Sequence, residues 1–233
     1  LIVGCGGAGM SAAVTALEAG LSVVNLERST PEDFGGNSRW TEAYLRMKND
    51  SEVSDDFEDH FARNASVNID PNVLDAVAGG YDHWPAYVKA HPFPDPELIG
   101  TFAQSVAPTI AWLKGFGLKF GPQPIYLLTQ GTSRIAAQGG GLALIEALRA
   151  KALALGGEIR YRTTAVDVIR DAEGRVQGVV ATDPSGKRYP IHARNVILAR
   201  GGYEGNADMM AQYIGAARAR HIRPAAIGGS YNR

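Results

Sequence analysis

The chain has 233 residues, enough for one large domain or two small ones. Its 23 Lys and Arg nearly balance its 24 Asp and Glu, so the sequence has no electrostatic footprint for nucleic acid or an anionic membrane. One cysteine excludes an intramolecular disulfide framework, and no apolar run reaches the ~18 residues of a membrane helix.

The two ends of the sequence read as interior stretches of a longer polypeptide. Residues 1–3 already have strand character, and residues 228–233 are loop-like. We therefore expect this chain to be a piece of a longer polypeptide. A missing targeting segment then says little about location, and the cytoplasm is the default expectation.

The first thirty residues have the pattern of a dinucleotide-binding βαβ unit. A strand at residues 1–3 leads into a G-x-G-x-x-G turn at residues 4–9, a helix at 10–19 that Gly20 ends, and a second strand at 21–26. Gly4 permits the tight turn, Gly6 lets a diphosphate approach the backbone, and Gly9 lets the helix pack closely on the strand. The unpaired N–H groups of the helix N-terminus suit phosphate.

Glu27 closes the second strand, where a carboxylate accepts hydrogen bonds from ribose hydroxyls. A carboxylate there disfavours NADP because it would repel a 2′-phosphate, although the neighbouring Arg28 keeps that option open. A glycine-rich turn that serves packing alone is the alternative interpretation.

A second glycine pair, Gly35-Gly36, precedes Asn37 and Ser38. Its N–H groups and the two small polar side chains would supply further donors to the same diphosphate. An ordinary loop in which Asn and Ser form turns is the alternative. From these residues alone, FAD and NAD both remain possible cofactors.

The ordered set of motifs resembles a known family. The motifs are residues 4–9, Glu27, residues 35–38, residues 112–120, residues 139–141 and residues 196–203. Together they resemble the FAD-dependent fumarate reductase and succinate dehydrogenase flavoprotein superfamily. The 35–38 block followed by Leu45-Arg46-Met47 looks most like the tricarballylate dehydrogenase branch.

The resemblance implies an α/β fold, a Rossmann-like FAD-binding domain with a central parallel sheet and an antiparallel β-meander as crossover. It implies FAD on the glycine loop, with Ala165 and Val166 beside the adenine. No histidine lies in residues 35–47, so we expect non-covalent FAD. The candidate FAD contacts are Gly4, Gly6, Gly7, Ala8, Gly9, Glu27, Arg28, Gly36, Asn37, Ser38, Thr41, Gly140, Ala165, Val166, Ala199 and Gly201.

Two residues depart from the expected pattern. Arg200 stands where the family usually has a small residue before Gly201-Gly202, so its guanidinium either points away from the flavin or changes the local charge. Asn25 places an amide in an apolar strand, where it needs a partner if it is buried.

Residues 51–137 predict a mostly helical insertion between two parts of the FAD-binding domain, residues 1–50 and 138–233. Asp70-Pro71 and Asp95-Pro96 mark helix starts, and Gly115 marks a helix end. An acidic run at residues 55–59 beside His60 is interpreted as a solvated helix face, with a metal site as the alternative.

The last hundred residues predict a helix at 141–155 that buries Leu142, Ile145, Leu148 and Leu155, and a strand at 158–162. Three period-two segments at 165–170, 176–181 and 189–193 predict the antiparallel meander. Residues 195–199 predict a buried parallel strand that ends at Gly201-Gly202.

The resemblance implies an oxidoreductase that acts on a C–C bond next to a carboxylate, with hydride transfer to flavin N5. The expected substrate is a small di- or tricarboxylate. The resemblance also implies that the substrate-binding and catalytic groups lie mostly on a cap domain, before which we expect this chain to be truncated. No catalytic residue is assigned, because Arg39, Arg46 and Arg134 are better explained as exposed surface residues and the histidines show no paired spacing. The sequence has no second G-x-G-x-x-G, the motif that would bind NADPH, so direct use of a nicotinamide is disfavoured and the electron partner is not assigned. An NAD(P)-linked dehydrogenase and an FAD-binding fragment without turnover are the alternatives.

Overall fold

The structure is a computed structural model that describes residues 1–45, 47, 49–51, 96–122 and 134–221. The helix start at Asp70-Pro71, the acidic run at 55–59, Arg46, His60, His83, His91 and Asp95 lie outside the described residues.

The strands of the described part have two to seven residues, and its α-helices have four to nineteen. The strands are β1 (Ile2–Val3), β2 (Val24–Leu26), β3 (Tyr44–Leu45), β4 (Phe120–Pro122), β5 (Ile135–Ala137), β6 (Glu158–Arg160), β7 (Thr164–Arg170), β8 (Val176–Thr182), β9 (Arg188–His192) and β10 (Ile197–Leu198). The helices are α1 (Gly7–Glu18), α2 (Gly36–Trp40), α3 (Pro96–Lys114), α4 (Gly140–Ala154), α5 (Ala207–Met210) and α6 (Ala216–Ala219), with a π-helical segment at Ala211–Gly215.

The chain forms two compact units. The first comprises Leu1–Ala43 and Gly139–Arg233, and the second comprises Tyr44–Gln138. The first unit is built on a parallel sheet with the strand order β10-β1-β2-β6, in which Ile2 pairs with both Asn25 and Ile197. This confirms the predicted α/β fold with a central parallel sheet.

The meander covers one face of this sheet. Strands β7, β8 and β9 pair antiparallel in sequence order, as the period-two segments predicted. Leu26 of the parallel sheet forms a buried cluster with Val179 and Ala181 of β8, and Val3 and Val196 pack against it. Because burial of one large aliphatic side chain contributes about 1.5–3 kcal/mol, this cluster fixes the meander on the sheet.

Helix α1 begins three residues earlier than the predicted residue 10. Its first intrahelical hydrogen bond runs from the N–H of Met10 to the carbonyl of Gly6 (2.9 Å), so the glycine-rich turn forms the first helical turn. The end matches the prediction: Gly20 has φ +79°, and the N–H groups of Gly20 and Leu21 bond to the carbonyls of Leu17 and Ala16. This glycine-dependent C-cap stops the helix before β2.

Helix α4 buries two of the four predicted residues, Ile145 and Leu148. The buried residues are Gly141, Ile145, Leu148 and Ala152, which lie on one stripe of the helix. Leu142 and Leu155 are exposed instead. The predicted face is wrong at these two positions because Leu142 lies about 100° around the helix from Gly141 and Leu155 lies beyond the last turn.

Strand β10 is parallel to β1, as predicted, but it is not buried. Ile197 and Leu198 are 44% and 57% exposed, because β10 is the edge strand of the sheet. The short helices α5 and α6 that follow Gly201-Gly202 were not predicted, since four-residue helices leave no periodic pattern in the sequence.

The second unit combines α3 with a three-stranded antiparallel sheet in the order β3-β5-β4. Helix α3 starts at Pro96 and ends at Lys114, next to the predicted end at Gly115. Val106 and Ile110 of this helix pack with Met47 and Ile135 in a buried cluster. The sheet was not expected in a mostly helical segment, because its strands have only two or three residues each.

Candidate cofactor site

The candidate site lies where β1, β2 and β10 of the first unit end. These three parallel neighbours run in the same direction, so their carboxyl ends meet at one edge of the sheet. Each end leads into a candidate segment, namely residues 4–9 after β1, Glu27 after β2, and Ala199 to Gly201 after β10. Ligands of open parallel sheets bind in this place.

Gly4 makes the turn after β1 possible. Its φ is +103°, and its N–H donates to the carbonyl of Leu26 at 2.8 Å. A Cβ at this position would lie 2.5 Å from the carbonyl oxygen of Ala199. The main chain of Gly4 therefore lies directly against the main chain of Ala199, and only glycine fits at position 4.

Gly9 brings α1 onto the sheet. A Cβ at Gly9 would overlap the carbonyl oxygen of Gly4 and would lie 3.3 Å from the Cβ of Ala199. Gly9 is fully buried in the contact between the helix and the strand ends. An alanine here would push the first turn of α1 away from β1, and overpacking of this kind costs about 1–3 kcal/mol.

The N-terminus of α1 presents its amides at the same edge. The N–H of Gly7 donates to the hydroxyl of Ser38 at 2.9 Å. The N–H of Ala8 precedes the first intrahelical bond, and Ala8 is exposed. Cβ atoms at Gly6 and Gly7 would approach the Ser38 hydroxyl, at 3.5 and 3.2 Å. The helix therefore offers an accessible N–H and its partial positive charge to an anion.

Glu27 is a buried carboxylate held by main-chain amides. Its side chain accepts hydrogen bonds from the N–H of Cys5 at 3.1 Å and from the N–H of Ser29 at 2.8 Å, one at each oxygen. The residue is only 7% exposed. Because each carboxylate oxygen accepts more than one hydrogen bond, Glu27 retains acceptor capacity for ribose hydroxyls.

Asn25 has the partner that its burial requires. It is 2% exposed, and its amide nitrogen donates to the carbonyl of Gly9 at 3.5 Å, which ties β2 to the first turn of α1. The neighbouring Cys5 thiol is fully buried, and this burial raises its pKa, with the nearby Glu27 carboxylate acting in the same direction. The thiol therefore stays protonated and is not a nucleophile.

The start of α4 supports the segment that carries Ser38. The N–H of Gly141 donates to the carbonyl of Thr41 at 2.8 Å, and a Cβ on Gly141 would overlap the carbonyl oxygen of Ser38. A Cβ on Gly140 would lie 3.2 Å from the Thr41 carbonyl oxygen. Gly140 was predicted to contact FAD, and Gly141 was not. The missing side chain of Gly141 is what lets α4 lie so close to the Ser38 carbonyl.

Asn37 contacts a residue that the sequence did not single out. Its amide nitrogen donates to the carboxylate of Glu204 at 2.7 Å, across 167 positions in the sequence. The signal for Glu204 was an acidic residue two positions after the Gly201-Gly202 pair. Gly36 and Gly201, with φ +56° and +79°, have open space around the position of a Cβ.

The meander joins the edge beside Glu27. The N–H of Thr163 donates to the main-chain carbonyl of Glu27 at 2.9 Å, just before β7 begins. Ala165 pairs with Ala181, but the register shifts before Asp167, so Val166 is left out of the ladder and is 42% exposed. Val166 therefore lies at a β-bulge, an irregularity that is often found near binding sites. Arg28 directly follows Glu27 and is half-buried.

Arg39, Arg134 and Arg200 differ in their exposure and in their contacts. Arg39 and Arg134 are half-buried, not exposed as expected; each stacks on a ring, Arg39 on Trp40 at 5.6 Å and Arg134 on Tyr44 at 5.9 Å. Arg200 is exposed and makes no hydrogen bond or ion pair with any other described residue.

Within residues 1–45, 47, 49–51, 96–122 and 134–221, no group of three or more His, Cys, Asp and Glu could hold a metal ion. No helix in these ranges is long and apolar enough to cross a membrane.

The hydrogen-bond donors and the carboxylate acceptor at this edge fit a dinucleotide, whose diphosphate is anionic and whose ribose carries hydroxyls. Main-chain N–H groups at the α1 N-terminus, the Ser38 hydroxyl and a buried carboxylate on the next strand are the groups that such a ligand needs. In agreement, residues 1–229 match the FAD binding domain family. The chain belongs to this family. Its cofactor is FAD, which decides between the FAD and NAD interpretations.

Proteins of known activity are similar to most of the chain. A vinyl phenol reductase from Lactiplantibacillus plantarum is 29% identical over 211 residues, which cover 90% of this chain and 39% of that protein. A urocanate reductase from Eggerthella lenta is 30% identical over 221 residues, covering 91% and 33%. A fumarate reductase (cytochrome) from Shewanella frigidimarina is 22% identical over 224 residues, covering 91% and 34%. The chain thus spans about a third of the length of these relatives.

Solved structures share the fold. A 3-ketosteroid-Δ4-(5α)-dehydrogenase from Rhodococcus jostii RHA1 superposes with a TM-score of 0.68 at 22% identity, over 97% of this chain and 50% of that one. A flavocytochrome c3 fumarate reductase gives a TM-score of 0.63 at 23% identity, over 91% and 35%.

Substitution Glu27→Ala is expected to weaken FAD binding by roughly 1.5–3 kcal/mol, about 10- to 150-fold in Kd, because it removes charge-assisted hydrogen bonds to the ribose. Titration of the FAD-free protein with FAD, followed by flavin fluorescence, measures the change. Glu32→Ala is the matched control, since Glu32 is an exposed carboxylate of the same loop. An unchanged Kd in Glu27→Ala would contradict the ribose role.

Proposed function

We propose that this chain is the cofactor-binding part of an FAD-dependent oxidoreductase that acts on a C–C bond. The observation that carries the proposal is the α1 N-terminus set between Ser38 and the buried Glu27, in a chain of the FAD binding domain family. The names of the three relatives, all reductases, support the reaction class. When bound, FAD supplies the hydride acceptor or donor.

The proposed roles of this chain's residues are binding and orientation. The N–H of Ala8 and the partial charge of α1 stabilise the diphosphate, and the Ser38 hydroxyl extends this donor set. Glu27 accepts hydrogen bonds from the ribose. Val166 contacts the adenine through its main chain, and no histidine in residues 35–47 offers an attachment point for covalent flavin.

We propose a small carboxylate as the substrate of the whole protein, with tricarballylate as the specific candidate. Two relatives are named for reduction of urocanate and of fumarate, which supports a carboxylate next to the reacting bond. The Gly35-Gly36-Asn37-Ser38 block with Leu45-Arg46-Met47 supports tricarballylate. Dehydrogenation needs cations that hold the substrate carboxylate and an acid or base beside the reacting bond, and no described residue is assigned to these roles.

Purified protein is expected to carry flavin that absorbs near ~450 nm and that acid precipitation releases completely into the supernatant. Release follows because the proposed contacts are all non-covalent. The absorbance of pellet and supernatant measures it. A yellow pellet would contradict non-covalent binding, and protein that takes up no FAD would contradict the cofactor assignment.

The full-length protein is expected to exchange electrons between a redox dye and tricarballylate, fumarate or urocanate, and to leave vinyl phenols and 3-ketosteroids unchanged. Dye absorbance under anaerobic conditions, with one substrate at a time, measures the turnover. Turnover of vinyl phenols or 3-ketosteroids, without turnover of the three carboxylates, would contradict the carboxylate proposal while leaving the FAD site intact.

A further inference from the structure

Glu204 is a carboxylate at the cofactor edge that none of the preceding roles uses. One of its oxygens accepts the hydrogen bond from the Asn37 amide at 2.7 Å. Its other oxygen fills the space that a Cβ on Gly202 would occupy. The side chain therefore folds back over its own loop and reaches α2, which links the segment after β10 to the segment that carries Ser38.

The charge of Glu204 has no cationic partner within the described residues. It forms no ion pair there, and Arg200, on the same loop, forms none either. Glu204 is half-buried, so water screens it incompletely. An unpaired negative charge thus lies next to the segment whose Ser38 hydroxyl meets the N-terminus of α1.

A diphosphate at the α1 N-terminus would meet this charge. Asn37 is one of the diphosphate donors that the sequence predicts. Its amide carries two N–H donors, and Glu204 occupies one of them. The anionic ligand is therefore left with one Asn37 N–H and must approach a like charge. Both effects lower affinity, and the second is reduced by salt because the Debye length falls from about 10 Å at 0.1 M to about 3 Å at 1 M ionic strength.

We propose that Glu204 sets the affinity of the site for FAD, as a carboxylate that holds Asn37 and opposes the diphosphate. The proposal rests on the proposed function, since it takes the diphosphate to lie at the α1 N-terminus. The charge of Glu204 thus lowers the affinity of the site for FAD. The protein releases or exchanges FAD more readily than the main-chain donors alone would allow.

The test is the Kd for FAD of the FAD-free protein at 0.05 M and 1 M NaCl, by fluorescence titration. Glu204→Gln keeps an oxygen acceptor for Asn37 and removes only the charge, and we expect it to bind FAD about 5- to 10-fold more tightly at low salt. At 1 M NaCl this difference closes to less than twofold. Glu204→Ala, which also frees the Asn37 donor, tightens binding as well.

Asp208→Asn is the matched control, because Asp208 is an exposed carboxylate of the adjacent α5 that does not contact Asn37. We expect its Kd to equal that of the wild type. Equal or weaker binding by both Glu204 variants, or a difference that persists at 1 M NaCl, would overturn the proposal while wild-type FAD binding upholds the proposed function. A wild-type protein that binds no FAD would overturn both.

Discussion

The site depends on one close contact, between the first turn of α1 and the ends of β1 and β10. Gly4 and Gly9 allow it, because a Cβ on either residue would collide with main-chain oxygen atoms. With the helix seated there, the N–H groups of its first turn lie at the carboxyl edge of the sheet. The helix then carries the equivalent of about half a positive charge to the place where three strands end.

The hydrogen bonds that organise this edge are made by main-chain amides. The N–H groups of Cys5 and Ser29 hold the Glu27 carboxylate, and the N–H of Gly7 holds the Ser38 hydroxyl. Main-chain donors are fixed by the fold, so they present their N–H groups without the entropy cost of ordering long cationic side chains. A nearly neutral chain can therefore bind an anionic cofactor, and carboxylates such as Glu204 can tune the strength of binding.

The elements that local chemistry dictates were predictable from the sequence. The βαβ unit followed from the glycine spacing and Glu27, and the meander followed from period-two alternation between Gly-containing turns. Contacts between distant segments were not predictable: the Asn37–Glu204 bond spans 167 positions. The buried face of α4 was predicted correctly at Ile145 and Leu148, and wrongly at Leu142, because the smaller Gly141 is the residue that packs there. Strand β10 was expected to be buried because an apolar edge strand has the same composition as a central one.

We propose that main-chain amides at the start of α1, and not cationic side chains, hold the FAD diphosphate. A crystal structure of the protein with FAD tests it most directly. We expect a diphosphate oxygen within about 2.7–3.2 Å of the Ala8 nitrogen, beside the Ser38 hydroxyl. A diphosphate held by arginine or lysine side chains, with the Ala8 N–H turned to solvent or protein atoms, would contradict the account.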